Sequence, residues 1–247
     1  TEFPTAITVS ATSGNPIISQ RIESKNVQHL SGKVVTASFF AKNVSNATTL
    51  FTSLQSADSA DDFSATTTIQ EQNLGTLSSD WVEYTASWTV PAAGLNGLAL
   101  NILCAGSSTF TMGVTGVMLQ EGSVATPFEH LSRNESLALC QRYFQKYSDN
   151  GSGSGYISNG YIDNDRYYGV TRFANTLRAN PTCAGTSGDF AVQSSAYSAS
   201  GFSIDEQHNP TVDSVRFRTG TNSNFTNGQG AILKFGEAGS VTVDAEL

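Results

Sequence analysis

Apolar and polar positions alternate with a period of two along most of this chain, in short runs broken by Gly, Pro, Asn and Ser. That period is the signature of half-buried β-strands. Residues 5–12 (TAITVSAT) and 16–23 (PIISQRIE) read as strands around a Ser-Gly-Asn-Pro turn. Gly32 opens GKVVTASFFAK, where Val35, Ala37 and Phe39 alternate with Thr36, Ser38 and Phe40. Its end is apolar on both faces, which predicts a central, covered strand. In 48–56, Leu50, Thr52 and Leu54 share one face, and Phe51 and Ser53 the other. In 80–90, Val82, Tyr84, Ala86, Trp88 and Val90 share a face, so Trp88 belongs to the core. Trp81 falls on the polar face with Glu83, Thr85, Ser87 and Thr89. Pro91 stops that strand, and runs at 95–104 and 108–120 complete a set of about eight strands, the density of a sandwich or jelly roll.

The pattern changes between Leu119 and Tyr147. Gly122 and Pro127 break the strand period. Ser132 or Asn134 can cap a helix, and Ser132 with Glu135 has capping-box spacing. A helix is predicted from there to about Tyr147. Leu137, Cys140, Phe144 and Tyr147 fall on one stripe, widened by Leu139 and Tyr143, with Arg142 and Lys146 opposite. So wide a stripe is expected to bury against a sheet or another chain. The segment 148–155 (SDNGSGSG) has linker composition. Strand-like runs then resume: YISNGYID, YYGVTRF, DFAVQSSAYS, SVRFRTG, GAILKFG and SVTVDAEL. The prediction is an all-β chain of two antiparallel, jelly-roll-like β-sandwich domains, 1–130 and 148–247, joined by one short α-helix at 131–147.

Composition agrees with that class. Hydrophobic residues make up 38% of the 247 residues and charged residues only 14%, with 22 Gly, so the solvent face is built of hydroxyls and amides. The net charge of −8 changes the picture of partners. Residues 1–130 carry 4 basic and 10 acidic side chains, and residues 131–247 carry 9 and 11. An acidic surface gains nothing from counterion release, so nucleic acid and anionic membranes are disfavoured. No apolar run has the length of a membrane span. Cys104, Cys140 and Cys183 are odd in number and widely spaced, so buried thiols are expected rather than a disulfide framework. The chain starts at Thr1 without a signal-peptide pattern, which suggests a fragment of a longer protein.

Catalytic signals are thin. GSGSG at 151–155 matches a nucleophile elbow in letters only, because it sits in the Gly/Ser linker. His29, His130 and His208 have no ligand-spaced partners and read as surface or capping residues. Asp58, Asp61 and Asp62 form either a solvated loop or a calcium site, although their spacing is not that of an EF-hand. Candidate recognition residues are aromatic. Trp81 could stack on a sugar ring or cover the end of a sandwich. Tyr156, Tyr161, Tyr167 and Tyr168 could serve adaptable recognition or could face the core. No cofactor is expected.

Three sequence pieces carry a family likeness. The first is 17–42, IISQRIESKNVQHLSGKVVTASFFAK. The second is VMLQEGSVATPFEH at 117–130 with SLALCQRYF at 136–144. The third is FANTLRANPT at 173–182 with the ending DAEL. Together they resemble the C-terminal region of bacteriophage tail fibres, the receptor-binding fibre proteins. Gln120, Glu121, Gly122, Thr126, Pro127, Phe128 and Glu129 match one motif of that family, and Cys140, Gln141, Arg142 and Tyr143 another. Leu177 stands where the family pattern has Met, a volume-conserving change. The resemblance implies a non-enzymatic virion component, assembled in the bacterial host cytoplasm with other tail proteins. It implies a homotrimer with the helix stripe partly buried between chains, a carbohydrate-binding-like first domain, and a tip that binds host cell-surface glycan. Two other roles fit the residues: a carbohydrate-binding module of a secreted polysaccharide hydrolase, and another virion appendage such as a capsid fibre.

Overall fold

The structure, a computed structural model, describes residues 6–11, 16–148, 155–185, 190–195, 198–202, 204–208, 210–236 and 239–246. The chain is all-β, with sandwich-like packing of its sheets and only two short α-helices. It divides into two compact units, Thr1–His130 and Leu131–Glu246. Residues 13–15 of the predicted turn, most of the 148–155 segment and the chain ends lie outside the described residues.

The first unit contains β1 (Ile7–Ala11), β2 (Ile17–Ile22), α1 (Ser24–Val27), β3 (Val34–Ser59), β4 (Asp62–Thr76), β5 (Val82–Thr89) and β6 (Leu98–Glu121). Where two strands were expected at 33–42 and 48–56, β3 runs unbroken for 26 residues. Likewise β6 spans 24 residues in place of the strands expected at 95–104 and 108–120. Both bend rather than break. Three register shifts between Asn43 and Thr49, with Asn46 at φ 54, turn the β3–β6 ladder through its bend. The one sheet thereby folds over itself. Its first half of β3 pairs with β5 and the end of β6, which carries β1. Its second half pairs with β4 and the start of β6, which carries β2.

The layers enclose Phe39, Leu50, Ile102, Cys104, Phe110 and Met112 in one apolar cluster, and Val35, Leu54, Trp88, Leu98 and Leu100 in another. Trp88 is buried as its alternation predicts, and its indole N–H donates to the Gln70 carbonyl at 3.1 Å. Val82, predicted on the same face, is exposed at the first position of β5. The strand β4 was not legible in the sequence. Its outward Thr and Gln residues lack alternation, and its backbone ladder to β3 holds it.

The second unit contains α2 (Arg133–Gln141), β7 (Phe144–Ser148), β8 (Tyr156–Asp163), β9 (Arg166–Arg172), β10 (Thr182–Gly185), β11 (Phe190–Ser194), β12 (Ser198–Phe202), β13 (Ile204–His208), β14 (Ser214–Thr219), β15 (Gly230–Phe235) and β16 (Ser240–Asp244). Seven strands form one sheet in the order β12-β11-β15-β8-β9-β14-β13, and three form the other in the order β10-β16-β7. Ile162, Tyr167, Phe190, Phe217, Leu233 and Val243 lie in the apolar cluster between them.

The predicted helix begins as expected and ends early. Ser132 Oγ accepts from the Glu135 amide at 3.3 Å, and Glu135 Oε2 accepts from the Ser132 amide at 2.9 Å, completing the capping box. The helix stops at Gln141, and Phe144–Ser148 pairs instead with β16, Val241 opposite Tyr147 and Val243 opposite Gln145. The expected burial of its stripe does not occur within the chain. Leu137 is 51% and Leu139 55% exposed, and α2 has no buried residue. Cys140 is exposed for the same reason, whereas Cys104 and Cys183 are buried free thiols.

What ends the helix also assembles the unit. The buried Gln145 amide donates from Nε2 to the carbonyls of Gln141 and Asn175, both at 2.9 Å. Its Oε1 accepts from the Tyr147 hydroxyl at 2.6 Å and the Ala174 amide at 3.0 Å. Asn175 Nδ2 donates to Gln141 Oε1, and the Arg178 amide to the Arg142 carbonyl. Arg178 Nε then reaches the Ala245 carbonyl at 2.7 Å, while the Ala245 amide returns to the Tyr143 carbonyl at 2.8 Å. Gln145→Ala leaves four partly covered polar groups without these partners, and each unmade bond costs up to about 1–3 kcal/mol before water or local repacking replaces it. A loss of roughly 2–4 kcal/mol, read as a lowered urea midpoint, is expected, and a midpoint unchanged from the parent would show that the amide is dispensable.

Candidate functional site

Two surface features of the described residues have recognition chemistry, one in each unit.

In the first unit, the outward face of β3 and β5 meets the segment 125–130. Phe40 and Glu83 are direct cross-strand partners, and Thr85 follows Glu83 on the same face. The segment is held in place by Gln120. Its Nε2 donates to the Val124 carbonyl at 2.7 Å, and its Oε1 accepts from the Thr126 hydroxyl at 2.7 Å. Gly122, at φ 115, makes the preceding turn, and its carbonyl accepts from the Thr36 hydroxyl at 2.6 Å. Phe128 and His130 then meet edge to face, their ring centroids 4.9 Å apart. The result is a cleft of about 470 Å³ lined by Phe40, Glu83, Thr85, Ala125, Thr126, Pro127, Phe128 and His130. Two aromatic rings and a proline offer apolar surface. One carboxylate, two hydroxyls and an imidazole offer directional hydrogen bonds. That mixture suits a polyhydroxylated ring with an apolar C–H side.

None of the sequence-derived candidates lines this cleft. Trp81 is half-buried just before the start of β5. A Cβ on Gly113 would lie 2.9 Å from its ring, and Lys42 Nζ lies 5.0 Å from the ring centroid. The sequence placed Phe40 on the face opposite Phe39, on a strand expected to be covered on both faces. Its partners come from the turn after β6, whose path no local pattern reveals. His130, read as a surface residue, sits in the cleft wall.

The three aspartates serve local geometry. Asp58 Oδ1 accepts from the Thr67 hydroxyl at 2.8 Å. Asp61 accepts from the amide and the hydroxyl of Ser24, and adopts φ 58 in the hairpin turn between β3 and β4. Asp62 accepts from the Ser64 amide at 2.9 Å, and its hydrogen bonds to Ser64 hold its carboxyl below the usual range. Among the described residues no group of three or more His, Cys, Asp or Glu is placed to hold a metal ion.

In the second unit the four tyrosines separate. Tyr156 is 70% exposed at the start of β8. Tyr161 and Tyr168 face each other across β8 and β9 with ring centroids 5.6 Å apart and planes at 21°. The Arg216 guanidinium lies 5.8 Å from the Tyr168 centroid. Tyr167 turns the other way and is fully buried, so it has no part in a surface site. Its hydroxyl is 2.8 Å from Ser158 Oγ and donates to the Ser158 carbonyl at 2.9 Å. Room for that hydroxyl comes from Gly169, where an added Cβ would lie 2.0 Å from it.

No protein-family model matches the chain, and no curated protein matches it. Solved structures do align. The tripod from the baseplate of bacteriophage Tuc2009 aligns with 69% of this chain and 74% of its own, at 15% identity and a TM-score of 0.34. A CBM4 carbohydrate-binding module aligns with 43% of this chain and 61% of its own, at 17% identity and a TM-score of 0.34. The N-terminal cellulose-binding domain of Cellulomonas fimi β-1,4-glucanase C aligns with 49% of this chain and 79% of its own, at 15% identity and a TM-score of 0.31. The structural neighbours thus include carbohydrate-binding modules and a phage baseplate component. Likenesses this loose carry no argument about ligands. Among the described residues no helix is long and apolar enough to cross a membrane.

Burial gives the core a pH signature. It pushes the Tyr167 phenol up to about 12, against the opposing hydrogen bond from Ser158, and the Cys183 thiol up to about 11. Both groups are neutral in the folded core and ionise earlier when unfolded, so stability is full below pH 9 and declines as pH rises. Between pH 8 and pH 10.5 a loss of roughly 1–2 kcal/mol is expected from urea titrations. Cys183→Ala should remove the portion that begins near pH 9, and Tyr167→Phe the portion that begins near pH 10. An alkaline decline identical in all three proteins would exclude this origin.

Proposed function

We propose that this chain is a non-enzymatic fibre component of a bacteriophage virion that attaches the particle to host cell-surface glycan. The observation that carries the glycan reading is the first-unit cleft, with its apolar rings from Phe40 and Phe128 beside Glu83, Thr85, Thr126 and His130. Glu83 is the one carboxylate lining it among the described residues. Glycoside hydrolysis ordinarily uses two flanking carboxylates, so binding suits this site better than cleavage.

The virion reading is supported by the sequence resemblance to tail-fibre C-terminal regions. The pieces that carry it have physical work in this fold: Gln120, Gly122 and Thr126 shape the cleft wall, while Gln141, Arg142, Tyr143, Ala174, Asn175, Arg178 and Ala245 meet around Gln145. Trimerisation is part of the proposal. Leu137 and Leu139 stay exposed on α2, with Leu131 and Phe144 exposed beside it in sequence, and a second and third copy would cover such a face. A carbohydrate-binding module of a secreted polysaccharide hydrolase is the second reading, and the same cleft favours it.

Native mass spectrometry at micromolar concentration should give three times the chain mass, and Leu137→Glu with Leu139→Glu should give the monomer. A parent protein that is itself monomeric would exclude the trimer. On a glycan array the parent should bind a defined subset of sugars. Phe40→Ala and Phe128→Ala should each weaken that binding by about 5–30-fold, the range for loss of an aromatic platform, with thermal stability of the fold retained. Binding that both variants leave intact would place the sugar elsewhere. Adsorption of the fragment to whole bacteria, blocked by the free sugar, separates the virion reading from the hydrolase-module reading, which predicts binding to isolated polysaccharide instead.

A further inference from the structure

Strand alternation sorts the seven-stranded sheet of the second unit into two chemically different faces. Ile162, Tyr167, Val215, Phe217 and Leu233 point into the core. The alternate positions point outward. Tyr161 stands opposite Tyr168, and Val170 opposite Arg216, in adjoining rows across β8, β9 and β14. Tyr161 is 51% and Val170 55% exposed, so an apolar strip lies open in the middle of the sheet.

The charge on that face runs against the protein. The chain as a whole carries −8. Yet the outward positions of β9, β14 and β15 hold Arg166, Arg172, Arg216, Arg218 and Lys234, while Asp163 supplies the acid at the end of β8. Glu206 is the register partner of Arg218 on β13. Lys234 is engaged by Gln193 Oε1 at 2.9 Å, and Arg166 Nη1 by the Thr219 carbonyl at 3.3 Å. Arg172 and Arg216 are exposed, and neither has a carboxylate within ion-pair distance among the described residues. Neither is on an edge strand, since β9 and β14 each have a neighbour on both sides. Protection of a sheet edge by charge therefore does not account for them.

We propose that this outward face binds an acidic polysaccharide, with Arg172 and Arg216 taking its anionic groups and the Tyr161–Tyr168 pair taking a sugar ring. This rests on the glycan-attachment reading and names the ligand class for the second unit. The Arg216 guanidinium lies 5.8 Å from the Tyr168 centroid, a cation–π contact that uses none of its N–H donors. The planar guanidinium fork matches a carboxylate or a phosphate in two parallel hydrogen bonds. The ring pair beside it presents a flat apolar surface for the C–H side of a pyranose or a polyol. The anion is either a uronate carboxylate or a backbone phosphodiester. Because the rest of the chain is acidic, attraction must be local and salt must weaken it.

The test uses the full chain in calorimetric titrations with polygalacturonate, poly(glycerol phosphate) and neutral dextran, at 50 and 300 mM NaCl. Binding to at least one acidic polymer is expected, weakened tenfold or more at the higher salt, and which polymer binds distinguishes carboxylate from phosphate. Arg172→Gln with Arg216→Gln should lose tenfold or more in affinity, with an unchanged Tm. Arg216→Lys, which keeps the charge and loses the fork, should fall between. Tyr161→Ala should weaken binding at both salt concentrations. Acidic polymer bound equally by the double variant and the parent would overturn the assignment of this face. Binding of neutral glycans alone on the array would overturn the inference and leave the attachment reading standing, and binding of no glycan in either assay would overturn both.

Discussion

A single buried side chain, Gln145, decides how the second unit is put together. An uncharged amide offers two donors and two acceptor positions, and burial makes every unmet one costly. Here it meets four partners from the helix end, from residues 174–175 and from its own strand. Helix termination, the turn after β9 and the attachment of the last strand are therefore one event rather than three. The same constraint brings together Gln141, Arg142 and Tyr143, then Ala174, Asn175 and Arg178, and finally Ala245, from three stretches far apart in sequence.

That cluster also marks the boundary of what local pattern could reveal. The capping box at Ser132 was legible because both of its partners lie within one turn. The end of the helix was not. Phe144 and Tyr147 fit a helical stripe by spacing, and only pairing with β16, nearly a hundred residues on, draws them into a strand. The bent strands β3 and β6 posed the reverse difficulty. Polar residues around Asn46 separate two predicted runs, yet the ladder continues between them through bulges that local sequence does not announce. Trp88 was assigned to the core by alternation alone, and the all-β class followed from the period of two.

The recognition residues were less legible, for a physical reason. Tyrosine is at home on either face of a sheet, so Tyr167 and Tyr168 could not be sorted by type. The adjacent glycine was the available signal: Gly169 leaves space for the Tyr167 hydroxyl to fold back inside the sheet. With Tyr167 inward, Tyr168 must point outward, toward Tyr161 and Arg216. Trp81, left open between sugar stacking and packing, has Lys42 Nζ 5.0 Å from its ring centroid and lies against Gly113. The cleft around Phe40 needed a turn, a glutamine and a strand to come together, and no one of them signals it.

The pairing of β7 with β16 has one more consequence. These strands are the first and last of the second unit's sheets, and they lie side by side, from Ser148 opposite Ser240 to Phe144 opposite Asp244. Residues 174–178 return to this seam through the Gln145 cluster, and β10 joins it through β16. The seam itself is held by backbone pairing and by the Gln145 cluster, neither of which depends on the outward residues of the seven-stranded sheet. Outward residues of the seven-stranded sheet can therefore be rewritten without disturbing the seam.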